Sequence, residues 1–211
     1  MNTVERPWTR KILEKCLSHY AYSRFVRDIS PLELTPEQIQ GKVLIIGQSG
    51  AFPEKTLLCK PETDFEEFRP EISSIFCCDP YYPSSPEIHL SHPCINTASF
   101  RRVSNPQQKT AYWELSSANE FLPKVTEDFF DTVLMFRIVD LGTQISELDL
   151  IKTIAPHLKQ GGLFLGSGGR FPLSFPPDFF KPLTLVKVVR LIDYSGVFIF
   201  TNHTGIILQK S

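Results

Sequence analysis

The apolar positions of this chain fall into short, nearly continuous runs separated by polar stretches. Val43 to Ile46 is the clearest run, and Gly47, Gln48, Ser49 and Gly50 follow it directly. Runs of this kind are what a parallel strand buried on both faces requires. Ile75 to Cys78, inside Ile72 to Asp79, predicts a second strand. Tyr112, Trp113 and Leu115 predict a third, Asp131 to Ile138 a fourth, and Leu163 to Gly166 a fifth. Cys77 and Cys78 are adjacent, so in a strand they face opposite sides and read as small core residues.

Helical spacing appears between the runs. Ile12, Leu13, Cys16, Leu17 and Tyr20 share one face of a helix reaching about Ile29. Thr35-Pro36 with Glu37 and Gln38 reads as an N-cap and first turn of a short helix ending at Gly41. Phe52 to Cys59 predicts a helix with Pro53 in its first turn. Ser146 to Leu158 predicts the longest one, with Ser146 and Asp149 as a capping box and Leu148, Ile151, Ala155 and Leu158 on one face. The end of the chain is strand-like over Thr184 to Ile192, Val197 to Thr201 and Gly205 to Gln209, with Asn202 to Gly205 as a turn. Strands alternating with helices predict an α/β protein with a mostly parallel sheet and an antiparallel C-terminal part. Pro80 to Pro106 is an irregular stretch, long for a loop.

Composition narrows the class. The 211 residues suit one domain and can bury a sizeable core. An apolar fraction of 42% and a charged fraction of 21% read as globular. With 22 basic and 23 acidic residues there is no strong nucleic-acid signature, because counterion release needs a basic face. No apolar run is long enough for a membrane segment, and MNTVERPWTRK has no signal-peptide core. Five cysteines without framework spacing point to reduced thiols and a cytoplasmic setting. The oligomeric state is not written in the pattern.

A glycine turn after the first strand is the first place to seek a ligand, since open α/β sheets bind at the carboxyl ends of their strands. From Gly41 onward, the order of features resembles the class I S-adenosylmethionine-dependent methyltransferase family. VLIIGQSGA, Val43 to Ala51, stands where that family has its glycine-rich motif. Asp79 ends the second strand, where the family places an acid on the ribose hydroxyls. SSANEFLP, Ser116 to Pro123, is similar to the adenine-bordering segment, and FDTVLMFRIVDL, Phe130 to Leu141, to the fourth strand and its exit. IAPHLKQGGLFL, Ile154 to Leu165, resembles the helix-Gly-Gly-strand signature. The chain departs from the family where an acid commonly sits inside the first strand, a position held here by Ile45.

The resemblance implies a Rossmann-like class I methyltransferase fold, a mostly parallel seven-stranded sheet with an antiparallel C-terminal hairpin. Residues 1–40 would form a helical cap and 41–211 the methyltransferase-like domain. It implies S-adenosylmethionine as cofactor and a small-molecule methyl acceptor. Gly47, Gln48, Ser49 and Gly50 would line the methionine end, Asp79 would hold the ribose, and Pro80 and Tyr81 would pack by the adenine. Ser117, Ala118 and Asn119 would edge the adenine, and Phe136 and Arg137 would flank the cofactor. Asp140 would be the catalytic base, with Arg137 beside it. A non-catalytic binding protein on the same fold is the alternative.

Other motifs compete. Asp79-Pro80-Tyr81-Tyr82 resembles the motif of amino-methylating enzymes but follows the second strand, whereas that motif follows the fourth. Gly47-Gln48-Ser49-Gly50-Ala51 is close to a nucleophile elbow, with Asp140 and His203 later in serine-hydrolase order. His89, His92 and Cys94 have metal-ligand spacing but lack a paired CxxC, and no metal is expected. Gly166 to Arg170 offers an anion cradle or a plain loop after the fifth strand.

Overall fold

The computed structural model describes residues 32–34, 36–47, 55–58, 60, 68–78, 110–114, 116–136, 147–168, 176, 178–192 and 202–211. Seven strands are found there: β1 (Gly41–Ile46), β2 (Ile72–Cys78), β3 (Thr110–Glu114), β4 (Phe130–Phe136), β5 (Leu158–Gly168), β6 (Leu183–Ile192) and β7 (Asn202–Lys210). They form one sheet in the order β3-β2-β1-β4-β5-β7-β6. β1 to β5 pair in parallel, and β7 runs antiparallel to both its neighbours. β6 is therefore parallel to β5, and β7 is the single reversed strand, inserted between them.

Burial on both faces explains the apolar runs. Val43 and Ile45 of β1 enter one core cluster with Ile75, Cys77, Leu134, Phe136 and Leu165. Leu44 and Ile46 enter the other with Cys78, Val133, Met135 and Phe164. Successive side chains point to opposite faces, so the buried run Val43 to Ile46 is apolar at every position. Cys77 and Cys78 are separated in this way, both buried and unbridged.

Among the described residues three helices lie in the crossovers: α1 (Lys55–Leu58), α2 (Ala118–Phe121) and α3 (Glu147–Ile154). Leu57 and Leu58 of α1 pack on the first face. Ala118 of α2 and Ile151 and Ile154 of α3 pack on the second. The chain moves outward from β1 to β2 and β3, then returns past β1 to β4 and continues the other way. The direction reverses between β1 and β4, where the doubly wound fold opens its ligand crevice.

Phenylalanines fix the second face near α2. Phe76, Phe129 and Phe130 make three edge-to-face contacts, with centroids 5.4, 5.5 and 5.0 Å apart. Phe121 of α2 leans on Phe130 at 6.5 Å. Such pairs prefer edge-to-face geometry because of the ring quadrupole. On the first face, Leu32 and Ile39 are buried, and Lys187 of β6 holds the incoming segment. Its Nζ donates to the Leu32 carbonyl at 3.1 Å and to Glu33 at 2.6 Å.

Three expectations are corrected. The helix predicted to Leu158 ends at Ile154, a 3-10 turn follows over Ala155–His157, and Leu158 already belongs to β5. Pro156 cannot donate the hydrogen bond that would continue the helix. Gly161-Gly162 does not turn the chain into β5 but lies within it. There the register steps from Phe130 opposite Leu158 to Thr132 opposite Leu163. Asn202 to Gly205 is not a turn: these residues pair with Ile192 to Val189 as the first part of β7. The predicted N-terminal helix, the strand Val197 to Thr201 and the Pro80 to Pro106 stretch lie outside the described residues.

Candidate functional site

The carboxyl ends of the parallel strands are level with one another. Ile46 pairs with Cys78, Cys78 with Glu114, and Phe136 with Ser167. β1 leaves the sheet through Gly47, whose φ of +70° lies in the left-handed region. Glycine adopts that conformation without steric cost, and the residue keeps its backbone free of a Cβ. The Gly47 amide donates to the Cys78 carbonyl at 3.0 Å, tying the turn to the end of β2.

Beyond β3, Ser116 is buried and Ser117 caps α2. The Glu120 carboxylate accepts from the Ser117 amide at 2.9 Å and from the Ser117 hydroxyl at 2.9 Å. Ala118 is buried and Asn119 half-buried. The expected adenine segment is therefore a helix start held by its own acid. The Ser117 hydroxyl gives its proton to the Glu120 carboxylate and, in the capping box, faces the Glu120 backbone amide. Sequence reasoning missed Glu120, although Ser-x-x-Glu before an apolar residue is a capping-box signal.

These bonds hold the Glu120 carboxyl below its ordinary range, first through the Ser117 amide and then through its hydroxyl. A carboxylate whose folded pKa is depressed stabilises the fold above its unfolded value of about 4.3, and that stabilisation is lost as pH falls through the folded value. Exchange protection of the Ser117 amide is accordingly expected to fall on acidification from pH 6 to below about 4. Glu120→Ala is expected to abolish both the protection and its pH dependence. Amide hydrogen exchange followed by NMR checks this, and unchanged protection in the variant would refute it.

On the other side of the reversal, Phe136 ends β4 and is nearly buried. Next to it on β5 stands Ser167, 1% exposed, whose hydroxyl has no hydrogen-bond partner among the described residues.

The structure thus brings Gly47, Phe136 and the segment Ser117, Ala118 and Asn119 to one edge of the sheet. Gln48, Ser49, Gly50, Asp79, Pro80, Tyr81, Arg137 and Asp140 lie outside the described residues, as do His89, His92 and Cys94. His203, expected in a surface turn, is in β7 opposite Leu191. β7 is three places from β1 in the sheet, roughly 14 Å at the usual strand spacing. Ser49 and Asp140, the other members of the serine-hydrolase reading, lie outside the described residues.

No family sequence model matches the chain, and no curated protein sequence does. Its fold is similar to several solved structures. One is the N-methyltransferase NodS from Bradyrhizobium japonicum in complex with S-adenosyl-L-homocysteine, at a TM-score of 0.53 and 12% identity, covering 98% of this chain and 89% of that one. A putative S-adenosylmethionine-dependent methyltransferase from Listeria monocytogenes gives 0.57 at 11% identity, over 88% and 99% of the two chains. The putative methyltransferase bound to the Trm112 activator from Haloferax volcanii gives 0.56 at 12%, over 92% and 93%. At this identity the likeness is one of fold: the chain has the Rossmann-like fold of S-adenosylmethionine-dependent methyltransferases.

Proposed function

We propose that the protein is an S-adenosylmethionine-dependent methyltransferase acting on a small-molecule acceptor. The observation that carries this reading is the reversal between β1 and β4, with the left-handed Gly47 turn beside it and the capped α2 start at the same edge. The donor set fits the cofactor. A Cβ-free turn admits the methionine portion, the half-buried Asn119 suits an adenine edge, and the Phe136 ring suits a cation. Asp79 directly follows β2 and would accept from the ribose hydroxyls. Gln48, Ser49 and Gly50 would complete the methionine end, and Pro80 and Tyr81 would flank the adenine. Arg137 and Asp140, just after β4, are the residues proposed for the acceptor side, with Asp140 as base.

When bound, the cofactor would supply an electrophilic methyl group on sulfur. The protein's part is to bring the acceptor in line and hold it there, and positioning of this kind supplies much of the rate. Residues 1–40 are proposed as a cap on the domain of residues 41–211, and a cytoplasmic setting fits the unbridged Cys77 and Cys78. No helix among the described residues is long and apolar enough to cross a membrane.

One observation favours the non-catalytic alternative: Ile45 is fully buried in the first core cluster, where the family commonly carries an acid. Titration calorimetry with S-adenosylmethionine and S-adenosylhomocysteine separates the readings. Saturable binding of both is the expected result. A folded sample that binds neither would overturn the enzyme reading and leave the binding-protein one.

A further inference from the structure

We infer that Ser167 is a hydrogen-bonding contact for a polar group of the methyl acceptor, an inference that rests on the methyl-transfer reading. Ser167 is the last residue but one of β5, at the carboxyl edge. It is 1% exposed, and its Oγ has no hydrogen-bond partner among the described residues. A buried hydroxyl left in this state is costly, and native structures retain such groups where something other than the fold uses them.

The neighbours show where the hydroxyl stands. Phe136 is its register partner on β4 and Gly205 its partner on β7. Paired residues share a face, and Leu165, two residues back, belongs to the first core cluster with Phe136. Ser167 is thus flanked by a ring on one side and by a residue without a side chain on the other. Gly166 and Gly168 border it along the strand. A ring beside one unsatisfied polar group is the composition of a small orienting contact.

The order of the strands decides which ligand reaches it. On the proposed reading the adenine lies by β3, the ribose by β2 and the methionine end by β1. The reactive end of such a ligand then faces β4 and β5. β5 is two places from β1, roughly 10 Å at the usual spacing. Ser167 is therefore beyond the cofactor and on the side from which an acceptor comes. Its hydroxyl both donates and accepts, so the acceptor class is one with a hydroxyl, amine or carboxylate near the methylated atom.

The test uses two nitrogen analogues of S-adenosylmethionine, with nitrogen for sulfur and either a butyl or a 3-hydroxypropyl arm for the methyl. The arms are near-isosteric and span about one strand spacing, ~4.8 Å. The wild-type protein is expected to bind the hydroxyl-ended analogue about fivefold more tightly than the butyl one. In Ser167→Ala the ratio is expected to fall to about one, with S-adenosylhomocysteine affinity kept within about twofold. The Ser167→Ala unfolding midpoint is expected to equal or exceed that of wild type, since an unsatisfied hydroxyl is removed. Ser167→Cys, which keeps the side-chain shape with a larger atom and a weaker donor, is expected to lose most of the preference. Two proteins that bind S-adenosylhomocysteine alike and show the same ratio would overturn the inference alone. So would a clear drop in the Ser167→Ala midpoint, which would mean that the hydroxyl serves the fold. Failure of wild type to bind S-adenosylhomocysteine would instead overturn the methyltransferase reading, and this inference with it.

Discussion

Asp79→Ala is expected to weaken S-adenosylmethionine binding by about 100-fold or more without changing the unfolding midpoint. β2 leads directly to this residue. That strand ends at Cys78, which pairs with Ile46 on one side and Glu114 on the other. The Gly47 amide closes on the Cys78 carbonyl, so the turn after β1 and the end of β2 are held together. A carboxylate placed immediately after Cys78 would face the same crevice and accept from two vicinal hydroxyls. Each hydrogen bond to a charged group is worth roughly 1.5–3 kcal/mol, and two of them set the hundredfold figure. Asp79→Asn, which keeps one acceptor oxygen, is expected to fall between the two. Calorimetry of the folded variants is the check. Unchanged affinity in Asp79→Ala would remove this acid from the site.

Gly41→Ala is expected to be the most destabilising small substitution, at about 3 kcal/mol. Gly41 has a φ of +69°, and a Cβ there would sit on the Asp131 carboxylate. That carboxylate cannot step aside freely. It accepts the Lys42 amide at 2.8 Å and the Lys159 ammonium at 2.6 Å. The left-handed backbone costs roughly 1–2 kcal/mol in a residue with a Cβ, and displacing Asp131 adds a lost bond to a charged group. For a chain of this size the midpoint should fall by about 10 °C. Gly161 provides the control: its φ is +76°, and nothing lies within 4 Å of an added Cβ. Gly161→Ala should therefore show the backbone cost alone. Urea unfolding of the two variants measures the difference. Equal losses would mean that the Asp131 contact costs nothing, and the Gly41→Ala/Asp131→Ala pair should recover part of the loss if it does.

Much of the fold is legible in the chain because β1, β2, β4 and β5 are buried on both faces. An uninterrupted run such as Val43 to Ile46 has few other structural homes. Asn202 to Gly205 misleads for the opposite reason. Its composition is that of a turn, yet Gly205 lies beside Ser167 in the sheet, where a small residue fits. Local turn propensity is overridden there by pairing on both sides of β7. The end of α3 was legible in Pro156, but the apolar spacing through Leu158 continued past the break, because Leu158 is buried as a strand residue. At the site, Gly47 and the Ser117 to Asn119 segment could be read from the order of motifs. The bond from Ser117 to Glu120 could not be read from a search for an acid facing the ligand, since this acid serves the backbone. Ser167 gave no signal, because only the packed neighbours reveal that its hydroxyl is unsatisfied.

The reversed strand has a consequence for how the protein is made. β7 is last in order among the described strands, yet it lies between β5 and β6. While the polypeptide emerges from the ribosome, β5 has no neighbour on one side and β6 none at all until Asn202 to Lys210 have followed. Synthesis proceeds at roughly 5–20 residues per second, so the β5 edge and the whole of β6 wait for their common partner. Exposed edges of that kind invite pairing with other chains. A nascent chain stalled before Asn202 would therefore be a natural client for chaperones, and arrival of β7 would pair both waiting strands.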